Sequence, residues 1–327
     1  MATSYGKLSP GRRRVLAVVM LGTLAAMMLA AWSLQWPPAR RIDAAVEVLA
    51  KARAAPADEL WPAEPRIDWY LRYDGPGVTG WTAAVRGRAD DGQFLGADLA
   101  YADRGADLAY PDRGGVVSIK HWSLNQTLTG GSYMGKELTE KGPAQTTIDL
   151  KGGLITTRRI DAFGVTEPKV EAPENYLPKG TLEVIAWRMA GDAGSDAQFR
   201  LIFNQKQRHP NLVVFGSLQF RGLGQAQDRD GQPVLRTRIT GVRTLSKLDH
   251  LLEFDRDGTL ARVLLQETGG RLEGVSPQEL LRHDPRAAQI LWKNLQQHPP
   301  DPAWPPFLRR LESILTELAG PTDEVGV

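Results

Sequence analysis

The 327-residue chain sets 40 Lys and Arg against 38 Asp and Glu, and a net charge of +2 leaves no concentrated basic stripe for nucleic acid. It has no cysteine, which excludes thiol nucleophiles, cysteine metal sites, a disulfide scaffold and lipid attachment at a lipobox. The length behind the N-terminal segment suffices for one large β domain or two modest ones with a proper core.

From Val15 to Ala31 seventeen residues pass without a charge, only Gly22 and Thr23 interrupt the aliphatics, and the uncharged run continues to Leu34. That length spans ~30 Å of hydrocarbon. Arg12, Arg13 and Arg14 abut its start, and Trp32 and Trp36 stand where an interfacial aromatic belt would lie. The pattern predicts a cytoplasmic tail (1–14) and a transmembrane helix (15–36), with the main domain on the extracytoplasmic side of the membrane. A cleaved leader would need a small-x-small site, and cleavage after Ala31 puts Leu29 at the third position back, so an uncleaved anchor is expected. Arg40, Arg41, Lys51 and Arg53 on the far side weaken the charge asymmetry that sets orientation.

Pro37 and Pro38 end that helix. Ile42, Ala45, Val46 and Leu49 then fall at helical spacing between Arg40 and Ala55, and prolines punctuate 56–65, so 37–65 reads as a helical stalk and linker. From Arg66 the period becomes two. Ile67, Trp69 and Leu71 alternate with Asp68, Tyr70 and Arg72, and Trp81, Ala83 and Val85 repeat the pattern, as half-buried antiparallel strands do. Further strands are expected at 115–122, 145–151, 154–160, 197–205, 212–220, 234–242, 250–255 and 259–267, the last two joined by the Asp-Arg-Asp-Gly turn at 255–258.

One helix interrupts them. Leu182, Ile185, Ala186 and Met189 lie at i, i+3, i+4 and i+7 and Gly191 closes the segment, which is expected to pack on the inner face of the sheet. Residues 97–105, ADLAYADRG, are repeated at 106–114 with only Ala102 exchanged for Pro111, which reads as a hairpin lengthened at a surface tip. Past 270 the pattern is helical again. Ser276, Pro277 and Glu279 make a capping set, Asp284 and Pro285 restart the helix as far as about Gln297, and a stiff proline-rich segment occupies 298–306. A final helix places Leu308, Leu311, Leu315 and Leu318 on one face with Phe307 and Ile314 beside it. That stripe must be buried, against its own domain or against a second copy or an envelope partner.

The motifs that could carry chemistry each fail a context test. Gly75, Gly77 and Gly80 form G-x-G-x-x-G, but a strand pattern follows where a dinucleotide site needs a helix N-terminus. Around Ser132 the nucleophile-elbow pattern lacks its last glycine, Met134 standing there instead. His121, His209, His250, His283 and His298 show no i, i+4 pairing, and the acidic runs at Asp228, Asp230, Asp255 and Asp257 read as turns rather than calcium loops. Arg236, Arg238 and Thr240 share one strand face, which reads as solvated. No catalytic, cofactor or metal residue is assigned, no cofactor is expected, and oligomeric state is not encoded in any of these patterns.

Three stretches together, IDWYLRYDGPGVTGWTAAVRGR, ENYLPKGTLEVIAWRMAG and HLLEFDRDGTLARVLLQETG, resemble uncharacterised bacterial cell-envelope domains related to the lipoprotein-carrier (Lol-type) β half-barrels. The resemblance covers 66–270 and implies a mainly β (α+β) fold, an antiparallel sheet curled around helices with an apolar hollow, followed by a helical extension at 271–327. The expectation is a membrane-anchored, non-enzymatic domain that binds an apolar, lipid-like ligand or an envelope protein partner. The alternative is an envelope hydrolase for glycan or ester substrates, its carboxylates assembled from distant strands.

Overall fold

The computed structural model describes residues 39–103, 115–139, 142–162, 164–202, 215–242, 245, 247–298 and 300–319. Arg12, Arg13, Arg14, Trp32 and Trp36, on which the anchor expectation rests, lie outside the described residues, as does the second nine-residue copy. Among the described residues no helix is long and apolar enough to cross a membrane.

Fifteen strands form one antiparallel sheet. The first run is β1 (Arg66–Asp74), β2 (Gly77–Arg88), β3 (Phe94–Ala102), β4 (Gly115–Leu124), β5 (Gly131–Thr139), β6 (Gly142–Lys151), β7 (Leu154–Asp161) and the short β8 (Gly164–Thr166) and β9 (Lys169–Glu171). The second is β10 (Asp196–Ile202), β11 (Phe215–Gln227), β12 (Pro233–Val242), β13 (Asp249–Phe254), β14 (Leu260–Leu265) and β15 (Gly270–Val275). Each run is a meander, and β15 pairs with β1 to join them. The sheet therefore has two free edges, at β10 and along β7, where β8 and β9 pair with opposite ends of one strand.

Strand pairing does not close these edges into a barrel. One segment crosses between them: Ala172 N–H donates to Gly153 O at 2.7 Å, and three residues on, Arg200 N–H donates to Asn175 O at 2.9 Å and Leu177 N–H to Arg200 O at 2.7 Å. The crossing leads directly into α2 (Leu182–Ala190), which packs on β11, β12 and β13.

The stretch read as a helical stalk packs against the domain. Its helix, α1 (39–54), exists, but Ala45, Leu49 and Ala52 are fully buried in the same core as Ile185, Phe199 and Phe220. Their spacing of four and three makes an apolar stripe, and the inner side of the domain covers it. Arg41 ties the helix to β10 through Asp196 at 2.7 Å.

A second core lies on the outer face of β1–β4. Trp69, Leu71, Trp81, Val85, Leu95 and Leu99 meet α3 (Pro277–His283), α4 (Ala287–Leu295) and α5 (Trp304–Ala319) there. Burying each such side chain contributes about 1.5–3 kcal/mol. α3 begins as its sequence dictates, with the Ser276 hydroxyl accepting from Glu279 N–H. The terminal leucine stripe spends itself on this core: Phe307 and Leu311 are fully buried, Leu308 and Leu315 nearly so, and Ile314 and Leu318 pack at its margin.

The first of the two copies is largely strand, and the second lies outside the described residues. Residues 97–102 of the first copy belong to β3, where Ala97 and Leu99 are fully buried. An alternating Ala-Asp-Leu-Ala-Tyr-Ala reads equally as strand or loop until its partners are known.

Candidate functional site

Because residues on one strand alternate between faces, the outward parity of β1–β4 is apolar and the inward parity is not. Arg66, Asp68 and Tyr70 of β1, Arg86 of β2, Asp98 of β3, and Lys120 and Trp122 of β4 all carry the inner parity, opposite to Trp69, Trp81, Val85 and Leu99. With α1 and α2 filling much of the interior, two hollows open on the inner side among the described residues.

The first, about 190 Å³, lies between the start of β1, the Trp61 turn, α2 and the β13–β14 hairpin. The second, about 480 Å³, lies between β3–β5 and the Leu177–Glu183 turn into α2. Arg86 and Glu183 line both, so one ion pair divides them.

Arg86 anchors the wall. Its guanidinium reaches Asp98 at 2.9 Å and Glu183 at 3.1 Å, donates to the carbonyls of Val85 and Ala97, and lies 4.5 Å over the Trp122 ring. Burial alone would push its pKa down, but Asp98 and Glu183 more than reverse this and keep the cation charged. Burial pushes the Glu183 carboxyl up, with Arg86 opposing, and burial likewise raises Asp68 against the pull of Arg66.

The turn into α2 builds the floor of the second hollow. Thr181 hydroxyl donates to Pro178 O at 2.7 Å, and Gly180 at φ +91 presses on the indole, where an added Cβ would sit 2.3 Å from Trp122 Nε1. Gly96 does the same from the other side, with an added Cβ 2.4 Å from a Trp122 ring carbon. Two glycines thus admit one tryptophan as an inner wall.

Lys179 projects from this turn with its ammonium 5.6 Å from the Tyr133 ring. Burial and the neighbouring Lys120 bring its pKa down to about 8, opposed by Glu137. Glu137 is itself drawn to Arg159 at 3.6 Å, while Lys120 makes no ion pair among the described residues. Leu177, Leu182 and Leu201 add apolar surface to the same hollow. A hollow of this size with apolar walls and a few convergent polar groups is the usual form of a small-molecule site.

The hollow expected to be apolar therefore carries charge of both signs. Carboxylates from distant elements do meet, Asp68 and Glu183 sharing the first hollow, each held by an arginine. The residues singled out in the sequence fall elsewhere. Ser132 Oγ sits 3.0 Å from Ser123 Oγ, which donates to Asp301 at 2.7 Å; His250 and His283 pair with Glu267 and Asp103; Arg236 and Arg238 pair with Glu253 and Asp249. Asp228 and Asp257 accept from backbone N–H groups of their own turns, as the turn reading requires. Among the described residues no group of acidic and histidine side chains could hold a metal ion. The lysines, Arg86 and Trp122 were missed by motif reasoning, though one signal existed: Arg86 and Lys120 interrupt otherwise apolar strands.

These features describe an open antiparallel sheet with a mixed interior. No family model and no curated protein matches the chain. Among solved structures it is similar to a beta-barrel-like protein of the domain of unknown function DUF1849 from Brucella abortus, at 10% identity and a TM-score of 0.44, over 66% of this chain and 98% of that one.

Proposed function

We propose that the chain is a membrane-tethered binding protein of a bacterial envelope, and that its second hollow takes a small amphipathic anion. One observation carries the ligand class: Lys179 and Lys120 stand together at a half-enclosed hollow that Leu177, Leu182 and Leu201 also line. Two neighbouring ammonium groups disfavour each other's charge, and a bound anion removes that conflict while its carbon body covers the leucines. The tether rests on the uncharged run behind Arg12–Arg14.

The test is calorimetric titration of the full-length protein with hexyl phosphate, a short amphiphile that stays monomeric. Saturable one-to-one binding is expected, with Lys120→Met and Lys179→Met each weakening it about fivefold or more, in keeping with a lost charge-assisted contact. Hexanol should bind far more weakly. Absence of heat, or equal binding of hexanol, overturns the reading. Affinity should also fade as the pH rises through about 8, where Lys179 loses its proton. The tether is tested separately: protease added to intact spheroplasts should digest the domain, and protection until lysis would contradict it.

A further inference from the structure

The first hollow differs in charge from the second, where Arg86, Lys120 and Lys179 stand against Asp98, Glu137 and Glu183. The first hollow's carboxylates are Asp58, Glu59, Asp68, Glu183 and Asp257, and its cations are Arg66 and Arg86. Arg66 and Arg86 are taken by Asp68 and Glu183 at 3.1 Å each, and Glu59 is taken by Arg188 at 3.0 Å. Asp58 and Asp257 at the mouth make no ion pair among the described residues, so the hollow is net negative.

A second observation, independent of the acids, points to a ligand. Tyr70 is 3% exposed and lines this hollow, and its hydroxyl has no hydrogen-bond partner among the described residues. A phenol this buried normally finds a partner, and this hydroxyl opens to the hollow instead. Trp61, Trp187 and Phe254 line it beside Leu60, Pro62, Val184 and Leu260; Trp61 stacks on Phe94 behind it with ring centroids 4.8 Å apart, and Trp187 leans on Phe254 at 5.9 Å. Gly258 leaves room for Trp187 there, where an added Cβ would come within 2.9 Å of the indole.

Acids at the mouth, indole faces along the sides and one lone-pair donor at depth match a single chemistry. We propose that the first hollow binds a primary organic ammonium, its N–H groups meeting Tyr70 Oη and the carboxylates while its carbon body lies on the indoles. A quaternary ammonium would satisfy the aromatic walls and the charge but would bring Tyr70 no donor. A neutral polyol would satisfy Tyr70 but gain nothing from the net charge. The site is separate from the anion hollow, with only the Arg86–Glu183 pair between them.

The experiment follows the tryptophan indole N–H signals of the ¹⁵N-labelled full-length protein during titration with butylammonium and, separately, tetramethylammonium chloride. The Trp187 signal should move saturably with butylammonium while that of Trp122 in the other hollow stays in place. Tyr70→Phe should weaken butylammonium about fivefold, the effect of one lost hydrogen bond, and leave the weaker tetramethylammonium response unchanged. Asp257→Asn, at an exposed turn, should weaken both. Unaltered Trp69, Trp81 and Trp304 signals in Tyr70→Phe would show that its fold is intact. A Trp187 signal that does not move, or butylammonium binding indifferent to Tyr70→Phe, overturns the proposal, and neither result bears on hexyl phosphate in the second hollow.

Discussion

The two faces of β1–β4 are both covered, yet they are built differently. Outward, Trp69, Trp81, Val85, Leu95 and Leu99 meet Leu291, Trp304, Phe307 and Leu311 in an almost purely apolar layer, and the Trp81 indole N–H finds Asp284 at 3.1 Å. Inward, the same strands present Arg66, Asp68, Arg86, Asp98 and Lys120 to an interior only partly filled by α1 and α2. Burying those charges is unfavourable unless something pairs them, and the interior keeps hollows at the place where the charges stand. The outer face fastens the domain and the inner face is where a ligand has a reason to bind.

The comparison is broken most severely at the outer layer. Removing residues 304–327 should leave the domain unfolded or melting far lower, and Trp304→Ala alone should cost about 3–5 kcal/mol by denaturant unfolding. A truncated form that loses mass by light scattering while melting as before would instead make α5 a contact between copies. Inside, Arg86→Met strands two carboxylates. Asp98 and Glu183 keep side-chain exposures of 33% and 34%, so the cost should be about 2–3 kcal/mol rather than the full penalty of a dry site. Adding Asp98→Asn and Glu183→Gln should recover most of it, whereas an outer-face loss would not respond to charge.

An effect confined to acid pH belongs to His121, the fully buried imidazole of the outer face, edge-on to Trp304 at 5.4 Å. Burial first, then the positive potential of His298 and Lys136, brings its pKa down to about 3; the Leu295 carbonyl pulls the other way without meeting hydrogen-bond geometry. Since the folded pKa lies below the unfolded one, unfolding takes up a proton as the pH falls below about 6.5, and stability drops by about 1.4 kcal/mol per pH unit towards pH 3. His121→Leu should flatten that part of the stability profile; an unchanged acid slope would exclude His121 as its source. The smallest change is expected from deleting 106–114. Tyr101 pairs with Val116 and Ala102 with Gly115 without it, so melting should stay within a few degrees.

Much of the fastening side was legible. Alternation at Trp81, Ala83 and Val85, the Ser276 cap and the leucine stripe from 308 to 318 each put apolar groups on one face, and packing followed. The G-x-G-x-x-G run was rightly a hairpin: Gly80 needs φ +148, and an added Cβ would strike Tyr101 O at 2.1 Å. Alternation, however, tells which residues share a face and not what covers the other, so β1 and β2 read as half-buried when α1 and α2 in fact cover their inner side. β5 was missed because glycines and charges dilute its pattern, and β3 because its copy looked like an insertion. The hollows were illegible for a topological reason: Arg86, Lys120, Tyr133 and Lys179 come together only once the meander has curled and the crossing segment has brought its turn back onto β3–β5.

The most direct measurement uses tryptophans that report each face. Titrating the ¹⁵N-indole-labelled full-length protein with hexyl phosphate should move the Trp122 signal saturably while Trp69, Trp81 and Trp304, all buried on the outer face, stay in place. Movement confined to the outer tryptophans, or none at all, would contradict the assignment of binding to the inner face.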